Sequence, residues 1–312
     1  MGDSEEDSTV LVMIVETAPS YWGSVNTTPD SEREGGGLLD FQAFVEQLLV
    51  YINAFLLLNE DNRLAIFCVH DNKSVLLYES AGLKGKGKQT ASAESRASVC
   101  SAVVTGLQAL GASSEGGGDS GKQQPALSGT LSRALCYLNS LSRRGLVPKG
   151  AAATASKPRL LVLQGSPDVQ SQYIAFMNSI FSAQKAEVVI DACMLGRSDS
   201  SFLQQAVHLT KGVYLRPPRP SALLQYLLTV FTADTQSRSF LQLPKPTGVD
   251  FRASCFCHKR SIDLGYVCSV CLSIFCEGLS ECSTCGSAFS AKRAKLQATQ
   301  ASGSGAGPSA GA

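Results

Sequence analysis

VLVMIV, from Val10 to Val15, is a continuous apolar run near the start of the chain. Its six consecutive apolar residues, four of them β-branched, are typical of a strand that helices cover on both faces, as in a parallel sheet. We therefore predict a central first strand here. Two further apolar runs, RLAIFCV at 63–69 and VLLY at 75–78, are separated only by a short polar turn at 71–73, which predicts an antiparallel hairpin.

The second half of the chain alternates between strand-like and helix-like segments. The predicted strands are RLLVL at 159–163, EVVIDACML at 187–195 and GVYL at 212–215, and the predicted helices lie near 168–184, 199–210 and 220–233. Helical periodicity also appears at 38–58, 97–110 and 131–141. This alternation predicts parallel βαβ units, and so an α/β fold with a mostly parallel sheet and helices on both faces.

Composition limits the classes of protein that fit. With 312 residues, 44% hydrophobic and 17% charged, the chain can bury one substantial core and a small second domain. A net charge of +1 supplies no global field that would draw it onto nucleic acid or anionic lipid. The acidic start MGDSEEDS differs from the basic start of a secretory signal, so we expect an intracellular chain. Polar residues interrupt 38–58, which favours a domain helix over a membrane span.

The boundaries that we predict follow shifts in composition. They are an acidic disordered N-terminus at 1–8, the α/β domain at 9–235, a proline-containing linker at 236–249, a cysteine-rich module at 250–290 and a disordered tail at 291–312. The sequence leaves open whether the loops 82–96 and 111–127 are structurally ordered. The lysine run at 84–88 is interpreted as a solvated loop, because no helix follows it to form a phosphate site.

Seven of the eleven cysteines lie between Cys255 and Cys285. The metal ligands that we predict are Cys268, Cys271, Cys282 and Cys285, which form two C-x2-C pairs separated by ten residues. Four thiolates make a closed tetrahedral site, so the sequence predicts one structural zinc ion rather than a catalytic one. Reduced free thiols and a redox pair are the alternatives, but a redox C-x-x-C is expected inside a βαβ unit.

Four more candidate ligands, Cys255, Cys257, His258 and Cys276, lie in the same region. Together with the first four they reach the number that a cross-braced pair of zinc ions needs. Because Cys255-x-Cys257 is an unusual pair, we favour a single ion, with these cysteines packed around it and His258 on the surface. A second zinc site remains the alternative. The four isolated cysteines, Cys68, Cys100, Cys136 and Cys193, are predicted to be small buried apolar residues.

Three segments carry a family resemblance. The first strand ends in the acidic residue Glu16, the segment 128–135 reads SGTLSRAL, and the segment 159–165 reads RLLVLQG. These segments resemble von Willebrand A domains. The resemblance implies a von Willebrand A-like α/β fold, with any ligand site in the loops at the carboxyl ends of the strands.

That family holds a divalent cation with an Asp-x-Ser-x-Ser loop, a threonine and a later aspartate, and the match here is partial. Ser20 and Thr130 keep two positions, whereas Glu16, Ala18 and Gln164 stand where an aspartate, a serine and a second aspartate are expected. Because Mg²⁺ requires near-octahedral oxygen ligands, we expect no stable occupancy. We then expect Ser20 to stabilise a turn and Thr130 to cap a helix.

The longer segments VLVMIVETAPSYWG, LAIFCVHDNKSVLLYES and VDFRASCFCHKRSIDLGYVCSVCLSIFC are similar to those of one family. It is the family of smaller von Willebrand A-like subunits (subunit 3, Tfb4 type) of the general transcription and DNA repair factor TFIIH. The resemblance implies a nuclear, non-catalytic structural subunit of core TFIIH, acting in RNA polymerase II initiation, promoter opening and nucleotide excision repair. Its implied partners are other core TFIIH subunits, chiefly the larger von Willebrand A and RING-type zinc subunit, and the polymerase machinery through the complex.

Two other functions fit the cysteine module: a RING-like ubiquitin ligase, and zinc-dependent DNA binding. The residues 250–295 hold six lysines and arginines against four carboxylates, a charge too small for a strong phosphate footprint. We therefore expect little direct binding to nucleic acid. The three histidines, His70, His208 and His258, assemble no nucleophile and base pair that the sequence can identify, so we expect no enzyme.

Overall fold

The computed structural model describes residues 9–26, 39–59, 62–70, 72–80, 93–114, 126–146, 158–244, 249, 251–258, 260–271 and 273–289. The chain divides into two compact units between Asp250 and Phe251. The predictions for 1–8, for the lysine run at 84–88, for most of the loops 82–96 and 111–127 and for the tail 291–312 lie outside the described residues.

The first unit is built on a six-stranded sheet in the order β3-β2-β1-β4-β5-β6. The strands are β1 (Val10–Glu16), β2 (Arg63–His70), β3 (Lys73–Glu79), β4 (Arg159–Gln164), β5 (Val189–Met194) and β6 (Tyr214–Leu215). All neighbours are parallel except β2 and β3, which form the predicted antiparallel hairpin. The prediction that VLVMIV is a central strand is confirmed, because β1 pairs with β2 on one side and β4 on the other.

Alternation along the strands divides the core into two layers. On β1, Val10, Val12 and Ile14 pack into one apolar cluster, whereas Leu11, Met13 and Val15 pack into the other. Since successive strand side chains point to opposite faces, a run without polar residues buries both faces of the sheet. The apolar sequence of β1 is therefore explained by helices on both sides.

Seven helices flank the sheet among the described residues. They are α1 (Pro19–Asn26), α2 (Phe41–Leu58), α3 (Ala93–Ser114), α4 (Leu127–Arg143), α5 (Tyr173–Lys185), α6 (Ser201–Thr210) and α7 (Leu223–Tyr226). Side chains of α4, α5 and α6 belong to the cluster on one face, and those of α2, α3 and α7 to the cluster on the other. The predicted mostly parallel sheet with helices on both faces is confirmed, and the fold is von Willebrand A-like.

Helix α2 is, in the part of the chain that the structure describes, the one helix long and apolar enough to cross a membrane by length and composition. Six of its side chains, among them Phe44, Tyr51 and Phe55, are buried in the α/β unit. Asp40 caps its start by accepting a hydrogen bond from the amide of Gln42 at 3.1 Å. The helix therefore has the packing and the cap of a domain helix.

Three local predictions need correction. The helix predicted at 97–110 begins at Ala93 and continues to Ser114, so the glycine-rich loop does not start at residue 111. The helix predicted at 220–233 is a 3-10 turn at Pro220–Ala222, the short α7 and a π-helical turn at Leu227–Phe231. Cys136 is exposed, because it lies on an outer face of α4, whereas Cys68 and Cys193 are buried as predicted.

Part of the predicted linker 236–249 packs against the α/β unit. A 3-10 turn at Ser237–Ser239 presents Arg238, whose guanidinium forms two hydrogen bonds to the Asp191 carboxylate at 2.7 and 2.6 Å. Asp191 and the neighbouring Arg159 are each 1% exposed, and Arg159 donates to the carbonyls of Phe231 and Ala233. Burial lowers the pKa of Arg159, and the Asp191 charge opposes that shift. This buried cluster fixes the end of the last helix on the sheet.

The second unit contains two small antiparallel sheets. One pairs β7 (Ala253–Ser254) with β8 (Ser261–Ile262), and the other pairs β9 (Tyr266–Val267) with β10 (Ile274–Phe275). Its buried cluster consists of Cys268, Phe275 and Cys282, with three partly buried apolar residues around them. A core of this size is too small to fold a module of about 40 residues without a metal or a covalent cross-link.

Candidate functional sites

Glu16 occupies the carboxyl edge of the sheet, where a von Willebrand A domain would place its cation. Its side chain ends β1 and is 2% exposed. One carboxylate oxygen, Oε2, accepts hydrogen bonds from the amides of Gly165 at 2.7 Å and Ser166 at 2.8 Å, and Oε1 accepts one from the Ser166 hydroxyl. The loop after β4 therefore holds the carboxylate with three donors.

The remaining positions of the family's cation loop bring no second carboxylate beside Glu16. Ala18 is buried and has no polar atom in its side chain, and Ser20 is exposed on α1. Gln164 ends β4, and its amide nitrogen donates to the carbonyl of Ser166 at 2.8 Å. Because amide donors surround the single carboxylate, this set of residues does not fit Mg²⁺.

Thr130 is fully buried in α4, one turn after the cap residue Ala126. Its hydroxyl donates to the carbonyl of Ala126 at 2.9 Å. The expected capping role is therefore corrected: Thr130 satisfies a carbonyl within the helix instead of closing its first amides.

Aromatic residues of α1 cover the same edge. The indole of Trp22 donates to the carbonyl of Glu16 at 2.9 Å, and the Tyr21 hydroxyl donates to the carbonyl of Leu195 at 3.3 Å. Burial raises the pKa of Tyr21, and the charge of Glu16 raises it further. A Cβ on Gly165 would lie 2.0 Å from the Tyr21 ring, so this close packing requires a glycine after β4.

The second unit brings the four predicted zinc ligands together. The sulfur atoms of Cys268, Cys271, Cys282 and Cys285 all lie within 4.8 Å of one another and could hold a metal ion. The Sγ atoms of Cys268 and Cys285 are 3.7 Å apart, and those of Cys271 and Cys282 are 3.6 Å apart. Two sulfurs bound at about 2.3 Å to one tetrahedral ion lie about 3.8 Å apart, so the observed spacing fits a zinc site.

Backbone turns present these cysteines, and burial raises the pKa of the Cys282 thiol to about 11. The amide of Cys268 donates to the carbonyl of Ser273 at 2.9 Å, and the amide of Cys282 donates to that of Ser287 at 2.8 Å, so each pair sits in a tight turn. The Ser273 hydroxyl and amide lower the pKa of the Cys271 thiol to about 6. Gly286, directly after the second pair, takes a φ of 72°, a left-handed conformation that glycine adopts without a steric penalty.

A second cluster contains Cys255, Cys257, His258 and Cys276, whose ligand atoms also lie within 4.8 Å of one another. These residues therefore form a group of their own instead of packing around the first one, while His258 is exposed, as expected. His258 Nδ1 lies 3.1 Å from the Cys276 sulfur, and the Cys257 sulfur lies 3.4 Å from it. Burial raises the pKa of the Cys255 thiol, but amide hydrogen bonds from Arg260 and His258 lower it overall to about 6.

The two units together define a class: a von Willebrand A-like domain, with a cysteine-rich module that could hold a metal ion. The sequence model of the family described as transcription factor Tfb4 matches residues 8–286. The chain belongs to the Tfb4 family.

Curated relatives carry names from transcription and DNA repair. The "General transcription and DNA repair factor IIH subunit TFB4" of Arabidopsis thaliana is 40% identical over 91% of this chain and 90% of its own length. The "General transcription factor IIH subunit 3" of Dictyostelium discoideum is 42% identical over 81% of this chain and 69% of its own. These names identify both relatives as subunits of that factor.

A solved structure, "Crystal Structure of the TFIIH p34 N-terminal Domain", aligns with a TM-score of 0.56 and 26% identity. The alignment covers 73% of this chain and 99% of that chain. The similarity to a TFIIH subunit therefore appears in the fold as well as in the sequence.

Proposed function

We propose that this chain is a non-catalytic structural subunit of core TFIIH, acting in the nucleus through protein–protein contacts. Its role would lie in RNA polymerase II initiation, including promoter opening, and in nucleotide excision repair. The names of relatives that match over about nine-tenths of this chain support a role in transcription and DNA repair. The partners would be other TFIIH components, chiefly the larger von Willebrand A and RING-type zinc subunit.

The hydrogen bonds and the burial of Glu16 support the proposal that the chain is non-catalytic. A carboxylate that accepts three hydrogen bonds and is 2% exposed has little capacity left for a cation or for proton transfer to a substrate. At the position of Glu16, the sheet edge where α/β proteins place their ligands is thus occupied by hydrogen bonds within the chain. This favours a domain whose outer surfaces serve assembly.

We further propose that Cys268, Cys271, Cys282 and Cys285 hold one structural zinc ion. The spacing of their sulfurs and the turns that present them support this ligand set. When bound, such an ion contributes about 10–16 kcal/mol of apparent binding free energy to folding. Four protein ligands complete a tetrahedron, so no position is left for water or substrate.

The domain layout remains part of this proposal. It consists of a von Willebrand A-like domain at 9–235, a zinc module at 250–290, a connecting segment at 236–249, and terminal segments at 1–8 and 291–312. The contacts of Arg238 extend the first domain into the connecting segment. The segment that joins the two units would then be shorter than the composition suggests.

Assembly into TFIIH tests the proposed function. A tagged copy of the full chain, expressed in cells depleted of their own subunit, should purify with the other core TFIIH subunits, identified by mass. Cys282→Ser should weaken this recovery because it removes a buried zinc ligand, whereas Cys136→Ser, at an exposed cysteine of α4, should not. Recovery of the wild-type chain without any TFIIH component would contradict the proposal.

A RING-like ubiquitin ligase is the second candidate function, because the two cysteine clusters alternate along the chain as cross-braced zinc sites do. Exposed apolar side chains of the second unit, Leu264 and Val270, could contact a conjugating enzyme. Ubiquitin discharge from a panel of charged conjugating enzymes should be unchanged by the purified chain. Acceleration that is lost in Val270→Asp would support the ligase instead.

A further inference from the structure

We propose that Cys255, Cys257, His258 and Cys276 hold a second zinc ion, bound by three thiolates and one imidazole. The four ligand atoms converge within 4.8 Å although they come from a turn and a strand end 18 residues apart. Three sulfurs and one nitrogen are a ligand set that zinc uses in structural sites. This inference extends beyond the proposed function, which requires only the first ion.

Three turns of the second unit share one backbone pattern. They begin at Cys255, Cys268 and Cys282, which are all buried. In each turn the cysteine amide donates to the carbonyl five residues later: Arg260 at 2.9 Å, Ser273 at 2.9 Å and Ser287 at 2.8 Å. The second and third turns carry the ligands of the proposed first site. The turn at Cys255 repeats their backbone hydrogen bond.

His258 fits this pattern by its position. It lies three residues after Cys255, as Cys271 lies after Cys268 and Cys285 after Cys282. The first turn is therefore a C-x2-H pair in which an imidazole takes the place of a second thiolate. In the sequence, this C-x2-H spacing overlaps the less usual C-x-C spacing of Cys255 and Cys257.

The fourth ligand comes from the strand packed beside this turn. The amide of Phe256 donates to the carbonyl of Ile274 at 2.7 Å, which places the turn against β10, and Cys276 follows β10 directly. Tetrahedral zinc would separate two sulfurs by about 3.8 Å and a sulfur and a nitrogen by about 3.6 Å. The observed distances from the Cys276 sulfur, 3.4 Å to Cys257 and 3.1 Å to His258, are close to these values.

The two clusters alternate along the chain. Cys268 and Cys271 lie between the two parts of the second cluster, and Cys276 lies between the two pairs of the first. Each ion would therefore close a loop that contains ligands of the other ion. Losing either ion should loosen both sites, which gives the small apolar core of this unit two mutually dependent cross-links.

Zinc content and zinc spectroscopy of the full, tag-free chain test this inference. Elemental analysis should find two zinc ions per chain. X-ray absorption at the zinc edge should fit seven sulfurs for each nitrogen, averaged over an all-sulfur site and a site with one imidazole. His258→Cys should keep both ions and lose the nitrogen signal, and the matched control His208→Ala, in α6, should keep both the ions and the signal.

The possible results separate this inference from the proposed function. One zinc per chain with sulfur ligands alone would overturn the second site and leave the first one supported. A chain without zinc would overturn both. A mass lower by two hydrogens, from a disulfide between Cys257 and Cys276, would replace the second ion by a covalent link and overturn this inference alone.

Discussion

Replacing Glu16 by glutamine should destabilise the α/β unit. The native carboxylate accepts hydrogen bonds from the amides of Gly165 and Ser166 and from the Ser166 hydroxyl. A bond to a charged acceptor contributes about 1.5–3 kcal/mol and a neutral one about 0.5–1.5, so three bonds lose about 3 kcal/mol together. The smaller cost of burying a neutral amide offsets part of this loss, and we expect a net decrease of about 2 kcal/mol in the free energy of unfolding.

Tryptophan fluorescence gives a local assay for this change. Trp22 is the only tryptophan of the chain, and its indole donates to the carbonyl of Glu16. For a domain of this size, about 2 kcal/mol should lower the melting temperature by about 4–8 °C. The matched control is Glu46→Gln, an exposed position on α2, which should change the free energy of unfolding by less than about 0.5 kcal/mol.

Two results would refute this reasoning. The first is a Glu16→Gln protein that melts at the wild-type temperature, since the carboxylate would then contribute nothing through its charge. The second is a wild-type melting temperature that rises with added Mg²⁺, because a ligand stabilises the state that binds it. That rise would show that Glu16 coordinates a cation rather than taking its place.

Three further predictions concern stability. Asp191→Asn should lower the free energy of unfolding by about 3–5 kcal/mol in urea, because it leaves the buried guanidiniums of Arg159 and Arg238 without their shared carboxylate; a loss below 1 kcal/mol would show that the carbonyl contacts suffice. Gly212→Ala should cost about 1–3 kcal/mol, since its Cβ would lie 1.9 Å from the carbonyl oxygen of Ile190, and an unchanged urea midpoint would contradict this. A zinc chelator should expose 251–289 to protease while the Trp22 transition stays in place, and resistance of that segment after proven zinc loss would refute a metal-dependent fold.

The sequence predicted the sheet well because the apolar runs of its strands and the short turn between two of them were clear. A run such as β1 has one physical explanation, burial on both faces, and the short turn between β2 and β3 allows one pairing. The ends of helices were harder to predict. Helix α3 continues through Gly111 to Ser114, although glycine usually weakens a helix.

The contacts of charged side chains could not be predicted from the sequence. Arg238 lies in a stretch that has the composition of a linker, and its partner Asp191 lies inside an apolar strand 47 residues away. Likewise, the loss of family cation ligands was visible around Glu16, but the donors that hold its carboxylate come from a loop about 150 residues later. Such pairs depend on the packed structure and leave no periodic pattern.

Reconstituted core TFIIH can show whether this chain acts as a structural, non-catalytic subunit. Excision of a DNA lesion and opening of a promoter should be measured with the complex complete, without this subunit, and with the subunit added back. Both activities should fall without the chain and return with it, while the chain alone should show neither. Full activity of the complex without the chain would contradict a structural role, and opening or excision by the purified chain alone would contradict a non-catalytic one.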